Sequence, residues 1–238
     1  MTDESTAVKD LSVWGKIVSI FTSPREALES INQNPSWLIP FIIGLVFFFI
    51  FQYATVDYQM DYQLAKIEAR DLPAEQLEAA QSQMQGPAKY LGFIFGPIAM
   101  LVIWVVFAGC FLLMGNLMIG GKSNFKNMFA IVAWTSLVGI ISLILMAFLI
   151  TSKGTMHGVA LDLSLLLPTP AIGAEPGLLY LILSKIDLFV IWQVVLWIIG
   201  LSVTYNTTTQ KAAPPILILW GLWIVVSIGF TSLFGNLF

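Results

Sequence analysis

Five apolar runs constrain the fold of this chain more than any other feature of its sequence. Each approaches or exceeds the roughly 20 residues that a helix needs to cross a bilayer. Hydrophobic residues make up 58% of the 238 residues and charged residues only 11%, whereas soluble domains carry roughly 25% charged residues. A soluble core cannot take up this much apolar surface. The sequence therefore predicts an all-α integral membrane protein, a five-transmembrane-helix bundle within residues 36–238. The predicted spans are residues 37–53, 92–119, 129–150, 188–205 and 214–234.

The segment before the first span, residues 1–35, contains two helical patterns of a different kind. Five apolar residues recur at helical spacing between polar ones, which predicts an amphipathic helix on the membrane face. In the stretch TSPREALES, Ser23 is a candidate N-cap, Pro24 the first helical residue and Glu26 its capping-box partner. The two helices form either a packing elbow against the bundle or a regulated contact with the membrane or a partner. The apolar positions are Leu11, Trp14, Ile17, Val18 and Phe21 in the first helix, and Ala27, Leu28 and Ile31 in the second.

Two connections between the spans are long enough to have structure of their own. Residues 57–89 are rich in good helix formers, and a break at Asp71 and Pro73 divides them. We expect an extramembrane helical hairpin here, serving either as a solvated acidic element or as a docking surface for a partner. Residues 159–167 are apolar but too short to span, which predicts an interfacial or re-entrant segment.

The distribution of Lys and Arg predicts which way the chain faces, because cytoplasmic loops carry an excess of these residues. With the N-terminus inside, six of the Lys and Arg residues lie inside and five outside. The short inside loop GGKSNFKN carries Lys122 and Lys126 without an acidic residue. We therefore expect a cytoplasmic N-terminus and a periplasmic or extracytoplasmic C-terminus.

The sequence contains no recognisable set of catalytic or ligand-binding residues. The stretch MGNLMIGGKSN resembles a phosphate loop, but Asn116 stands where the pattern needs its first glycine, and the segment follows a membrane helix. One cysteine, Cys110, and one histidine, His157, do not make a zinc-type site. A net charge of -3 without a basic stretch argues against nucleic acid as a partner. We expect no enzyme activity, no cofactor and no metal.

Polar and small residues inside the spans are the remaining candidates for function. Small residues at helical spacing allow close helix approach, and a glutamine can hydrogen-bond across helices. The same residues could instead line a polar path for a substrate. No acidic residue falls in the middle of a span, which argues against proton-coupled transport. The residues that share a face are Gln193, Trp197, Gly200 and Thr204 in the fourth span, Thr135, Gly139 and Ser142 in the third, and Gly92 and Gly96 in the second.

Two charged residues precede the fourth span. Asp187 lies at the start of the predicted helix, where a carboxylate faces the positive end of the helix dipole. Lys185 lies two residues earlier, outside the span, where its aliphatic stem can snorkel. We interpret the pair as the marker of the point where the helix enters the bilayer, with Asp187 as its cap.

Three stretches together resemble the Yip-domain (Ypt-interacting protein) family in its bacterial form. They are IFTSPREALESINQNPSWLIPFIIGLV, GGKSNFKNMFAIVAWTSLVGI and KIDLFVIWQVVLWIIGLSV, and the likeness covers about residues 19–230. The helix-like LPAEQLE segment at residues 72–78 also fits, whereas the aromatic-rich N-terminal arm of many eukaryotic members is missing. The positions that match the family pattern are Pro24, Pro35, Lys122, Phe125, Asp187, Phe189 and Trp192.

The resemblance implies a five-helix bundle with a cytoplasmic N-terminus, and it brings no catalytic residues with it. Eukaryotic members are associated with Rab-type GTPases, vesicle traffic and membrane shaping. We expect a non-enzymatic protein of the bacterial inner membrane that acts through contacts with lipid, with other membrane proteins or with a second copy of itself. The alternative is a transporter, channel or lipid scramblase with a polar path near Gln193.

Overall fold

The computed structural model describes residues 10–70, 73–86 and 90–234. These residues fold into α-helices with a short 3-10 helix at Leu163–Leu166 and an isolated antiparallel bridge between Asp162 and Asp187. The helices are α1 (Val13–Thr22), α2 (Pro24–Gln33), α3 (Leu38–Glu68), α4 (Ala74–Gln85), α5 (Leu91–Met118), α6 (Phe125–Thr135), α7 (Val138–Lys153), α8 (Leu178–Leu183), α9 (Leu188–Thr204) and α10 (Thr209–Phe234).

Among the described residues, four helical segments are long and apolar enough to cross a membrane. They are Leu38–Glu68, Leu91–Met118, Phe125–Lys153 and Thr209–Ser232, and they coincide with four of the five predicted spans. Helix α9, in the fourth predicted span, has 17 residues and counts among the shorter apolar helices. At 1.5 Å per residue it is ~26 Å long, just under a hydrocarbon core of ~30 Å. The fifth crossing therefore stays a prediction.

The third predicted span is not one continuous helix. Helix α6 ends at Thr135 and α7 begins at Val138, with a turn at residues 136–137 between them. The Thr135 hydroxyl donates to the Ile131 carbonyl at 2.9 Å, and the Ser136 hydroxyl donates to the Ala133 carbonyl at 2.7 Å. Such bonds compete with the backbone ladder and bend helices. Two adjacent hydroxyl residues thus explain a break that the apolar pattern did not predict.

Helix α3 continues well beyond the first predicted span, as the helix-forming residues after Tyr53 predicted. It ends at Glu68, before Asp71, which lies outside the described residues, and α4 begins after Pro73. The Gln81 amide donates to the Glu68 carboxylate at 3.0 Å, so α4 contacts the end of α3. Whether the two form an extramembrane hairpin over residues 57–89 stays a prediction.

The chain divides into two compact units, and the long helices contribute residues to both. The first unit comprises Met1–Ile43, Val102–Val138 and Trp192–Gly221, and the second comprises Gly44–Leu101, Gly139–Ile191 and Leu222–Phe238. Most fully buried side chains belong to the first unit, and every residue of α6 from Met128 to Thr135 is buried. A helix that is apolar and buried on all sides forms the centre of a core.

Three helices meet at Gly200 within the first unit. A Cβ atom on Gly200 would collide with the Ile131 side chain of α6 and would lie 3.9 Å from Leu28 Cδ1 of α2. The residues predicted to be buried on α2, Ala27, Leu28 and Ile31, are fully buried. The missing side chain at Gly200 therefore lets α9 approach α6 closely, as its spacing predicted.

A cluster of four aromatic rings joins the start of α3 to α5 and α6. Trp37 and Phe129 lie 5.6 Å apart between ring centroids, and Trp104 lies 6.1 Å from Phe41 and 6.2 Å from Phe129. These contacts are edge-to-face, the arrangement that aromatic quadrupoles favour. Phe125 stacks on Phe129 at 5.7 Å and extends the cluster to the first residue of α6.

Close approach at small residues also occurs in the second unit, although not at every predicted position. A Cβ on Gly96 would collide with the Phe48 ring, and one on Gly92 would lie 2.7 Å from Gln52 Nε2, so α5 lies close against α3. A Cβ on Gly139 would meet no atom of the described residues within 4 Å. The prediction of close helix approach at Gly139 is therefore wrong.

Gly200→Ala should destabilise the protein by about 1–3 kcal/mol, the usual cost of overpacking a well-packed core. Gly221→Ala on α10 is the matched control, because its added Cβ would meet nothing within 4 Å and alanine favours a helix over glycine by ~1 kcal/mol. Thermal unfolding in detergent measures both variants. Equal or higher stability of Gly200→Ala would contradict the three-helix contact.

Candidate functional site

Most residues singled out in the sequence belong to the first unit, where α1 and α2 join the core. Pro24 is the first residue of α2, as predicted. The Ser23 side chain, however, makes no capping hydrogen bond, so the predicted capping box does not form. The side-chain cap is found instead on α1, where the Gly15 amide donates to the Ser12 hydroxyl at 3.2 Å.

A polar network anchors the start of α1 on α2. The fully buried Ser30 hydroxyl accepts from the Leu11 amide at 2.9 Å and donates to the Asp10 carboxylate at 3.2 Å. Lys16 lies 3.4 Å from the same carboxylate. The hydrogen bond from Lys16, and after it that from Ser30, holds the pKa of Asp10 below its ordinary value of 3.8. The stabilisation that the Asp10 carboxylate contributes is therefore present above the ordinary pKa of 3.8 and is lost as the pH falls through the lowered pKa.

Helix α2 is fixed to α9 by an arginine. The Arg25 guanidinium donates to the Ser202 hydroxyl at 3.2 Å and to the Glu29 carboxylate at 3.3 Å. Ser202 is buried, and its hydroxyl donates in turn to the Ile199 carbonyl at 2.7 Å. Pro24 at the first position of α2 sets the start of the helix and so the place of Arg25 beside α9.

The link between α2 and α3 is held by α6. The side-chain amide of Asn127 donates to the backbone carbonyl and to the side-chain oxygen of Asn32, both at 2.7 Å. The Trp134 indole donates to the Ser36 carbonyl at 2.7 Å. Pro35 lies between these two acceptors and has no N–H of its own to satisfy. Neither Asn127 nor Trp134 is recognisable from the sequence, because a single polar group in an apolar run does not indicate its partner.

Helix α1 leaves one apolar face uncovered. Trp14 is 77% exposed and Val18 57% exposed, whereas Ile20 on the other side is fully buried. Phe21 contacts the Trp192 ring edge-to-face, with centroids 5.7 Å apart. The predicted amphipathic helix is thus present, with its buried side fixed on the core and a tryptophan–valine face that no described residue covers.

Two exposed lysines lie on either side of the start of α6, and this start is capped. Lys122 and Lys126 both lie on the surface. The Asn124 side chain accepts a hydrogen bond from the backbone N–H of Asn127 at 2.9 Å, so Asn124 caps α6, which begins at Phe125. Asn116, at the position where the phosphate-loop pattern fails, accepts from the Tyr205 hydroxyl at 2.7 Å. Asn116 therefore joins α5 to the end of α9.

The predicted polar face of α9 is mostly used in packing. Thr204 donates to the Gly200 carbonyl at 2.7 Å. The Trp197 ring packs between Phe107 and Phe111 of α5, at centroid distances of 4.9 and 5.0 Å. Gln193 Nε2 and Trp197 Nε1 are buried and have no hydrogen-bond partner among the described residues. The expected hydrogen bond from the Gln193 side-chain amide to another helix is therefore not formed.

The start of α9 lies in the second unit and shows the predicted cap. The Val190 amide donates to the Asp187 carboxylate at 2.8 Å. The backbone bridge between Asp162 and Asp187 fixes the preceding segment, and the Leu163 amide donates to the Ile186 carbonyl at 3.0 Å. Lys185 Nζ lies 5.9 Å from the centre of the Trp223 ring, a cation–π distance. These contacts are structural, and they bring no further charged group to Asp187.

Asp187→Ala should lower the stability of the protein by about 1 kcal/mol, because alanine leaves the first amides of α9 without a cap. Asp187→Asn is the conservative control, since asparagine also caps helices and should keep most of the stability. Thermal unfolding and the yield of folded protein measure the effect. A stable Asp187→Ala protein that has lost a specific activity would show that the residue belongs to a functional site.

Comparison with known proteins identifies the family of the chain. A sequence profile of the Yip1 domain matches residues 18–231. Searches of curated proteins and of solved structures gave no significant match. The profile covers most of the 238 residues, and it agrees with the resemblance carried by the three sequence stretches. Together with the four long apolar helices, it indicates a multi-pass membrane protein, and the chain belongs to the Yip1 domain family.

Proposed function

We propose that this protein is a non-enzymatic membrane protein that acts by contact, with its α1 face lying in the lipid interface. The uncovered Trp14–Val18 face carries the proposal. Amphipathic helices bury such faces at the boundary between headgroups and acyl chains, where tryptophan is favoured. The buried side of α1 is fixed by Ser30 and Phe21. Contact with lipid would therefore be transmitted to a packed core.

Membrane orientation forms part of the same proposal. We place the protein in the bacterial inner membrane, with the N-terminus cytoplasmic, the C-terminus periplasmic and α9 as a fifth crossing. Lys122 in the α5–α6 loop and Lys126 in the first turn of α6 are exposed, and no acidic residue lies near them in the sequence, which supports a cytoplasmic position for the α5–α6 connection. A 17-residue helix lies at the short end of spanning lengths, and local thinning of the bilayer accommodates it at modest cost.

Protein partners would use the exposed faces of the long helices. Apolar side chains such as Val102, Val106 and Val225 are more than half exposed, and they can contact lipid, a second copy of the chain or another membrane protein. A scaffold built in this way needs rigid helices and no chemistry, which fits the extensive packing around α6.

A spin label at position 18 tests the position of α1. In a Cys110→Ser background, Val18→Cys labelled in bilayers should be more accessible to oxygen than to a water-soluble nickel complex, because oxygen concentrates in lipid. Glu26→Cys is the control, since Glu26 is an exposed position on α2 and should show the reverse preference. Equal, water-like accessibility at both positions would contradict an interfacial α1.

A transport or scramblase function is the second candidate, and it rests on Gln193. Its Nε2 and the indole nitrogens of Trp197 and Trp220 are buried without partners in the first unit. Unpaired buried donors of this kind are costly unless a ligand or water satisfies them. They could therefore line a path for a polar substrate.

Vesicle reconstitution distinguishes the two candidates. The contact proposal expects ion, solute and lipid flux equal to that of empty vesicles, and a Gln193→Leu protein at least as stable as the original, because the substitution removes an unpaired buried amide. Flux above empty vesicles that falls in Gln193→Leu would support the transport candidate instead. Matched amounts of folded protein in both samples are the control.

A further inference from the structure

A cavity of about 750 Å³ lies wholly within the second unit. Its volume is typical of sites that bind small organic ligands, about 300–1,000 Å³. The lining comes from the end of α3, the turn after α7, the loop before α8, α8 itself and the last turns of α10. This cavity is separate from the α1 face and from Gln193, both of which belong to the first unit.

The charged groups of the lining favour an anion. Lys66 lies in the last turn of α3 and Arg70 lies just beyond the end of this helix at Glu68, and both line the cavity. The charged residues among the described lining are Lys66, Arg70 and Glu175. Tyr62, Thr169 and Tyr180 add hydroxyl groups that can donate hydrogen bonds. A ligand with several acceptor oxygens and a negative charge matches these donors.

The wall opposite α3 is held in place by specific contacts. His157 Nε2 donates to the Pro170 carbonyl at 2.9 Å, and Lys153 Nζ donates to the His157 carbonyl at 2.7 Å. The Tyr62 and His157 rings lie 6.2 Å apart between centroids. These contacts fix the turn after α7 to the loop before α8 and place His157 beside α3, so the cavity is a built feature of the unit.

A close approach fixes the loop to α3 as well. A Cβ on Gly173 would lie 2.6 Å from Ala69 Cβ, and Gly173 has a positive φ of 84°. Only glycine adopts this backbone region readily. The loop therefore closes against the helix end that carries Lys66 and Arg70.

The cavity also has an apolar part, and a bare inorganic ion would leave it unfilled. Val159, Leu181 and Phe230 line it beside the polar groups. A phosphate ester combines acceptor oxygens with an organic body, and an arginine fork binds such oxygens in pairs. We propose that this cavity binds a phosphate ester through Lys66 and Arg70, the chemistry shared by anionic phospholipid headgroups and soluble phosphate esters.

Two binding measurements on the full chain test the proposal and separate the two sources. The first compares thermal unfolding in phosphatidylcholine nanodiscs with and without phosphatidylglycerol. The second measures binding of glycerol 3-phosphate by calorimetry in phosphatidylcholine nanodiscs. We expect binding in at least one arm. Stabilisation by phosphatidylglycerol without binding of glycerol 3-phosphate identifies a lipid site. Binding of glycerol 3-phosphate identifies a site that is open to soluble esters. No binding in either arm overturns the proposal.

Charge-removal variants locate the binding. The Lys66→Gln/Arg70→Gln protein should bind at least ~10-fold more weakly, because it loses two charge-assisted contacts. Lys122→Gln/Lys211→Gln removes two exposed cations outside the cavity and should bind normally. Equal weakening in both pairs would assign the binding to general surface charge and overturn the cavity site. Unchanged binding in Lys66→Gln/Arg70→Gln would overturn it as well.

Single variants keep the test usable if the double variant does not fold. Arg70 lies beyond the end of α3 at Glu68, so Arg70→Gln leaves the helix uninterrupted and should still weaken binding several-fold. Arg70→Lys keeps the charge and loses the planar fork, so its affinity should fall between those of Arg70→Gln and the unmodified protein. Identical affinities for all three would contradict a contact between Arg70 and the phosphate.

Discussion

The burial of α6 on all sides is the constraint on which the rest of the first unit depends. Within a bilayer, lipid tails are as apolar as the side chains, so helices associate through packing and hydrogen bonds. Helix α6 provides both. Its side chains are buried from Met128 to Thr135, Ile131 lies against the bare backbone of Gly200, and Asn127 and Trp134 hold the link between α2 and α3.

This arrangement explains how a short polar helix can have a defined position. Isolated helices of about ten residues are marginal in water, and α2 has ten residues with the sequence PREALESINQ. Its apolar residues pack into the core, and Arg25 and Ser30 supply polar contacts to α9 and to the start of α1. Helix α1 is consequently carried on a fixed support.

The sequence predicted the features that depend on periodicity and local chemistry. Four long apolar helices, the buried face of α2 and the Asp187 cap follow from spacing and residue type. The family follows from the resemblance of three sequence stretches to the Yip domain. Features that depend on tertiary partners were not predictable in this way. Ser30 anchors the N-terminal segment through Leu11 and Asp10, a contact that no spacing indicates. The break after Thr135 has a local cause, the hydroxyl bonds of Thr135 and Ser136 to their own helix, but the apolar pattern conceals it.

The residues that line the cavity could not be grouped from the sequence either, because their grouping also depends on tertiary contacts. Tyr62, Lys66 and Arg70 lie in a stretch that the sequence marks only as acidic and helical, while His157 belongs to a different connection. Folding brings them together through contacts between loops, such as the one between His157 and Pro170. Pairing of this kind has no periodic signal, so a single sequence does not contain the information that would locate the site.

Hydrogen–deuterium exchange of the reconstituted protein tests the central claim, that α6 fixes the N-terminal helices, most directly. Helix α2 is too polar to be protected by burial in lipid, so its amides exchange slowly only if it is docked on the core. The account predicts that amides in α2 exchange nearly as slowly as those in α6, and far more slowly than those of the exposed residues 120–122 in the α5–α6 loop. Rapid exchange throughout α2 alongside a protected α6 would contradict it.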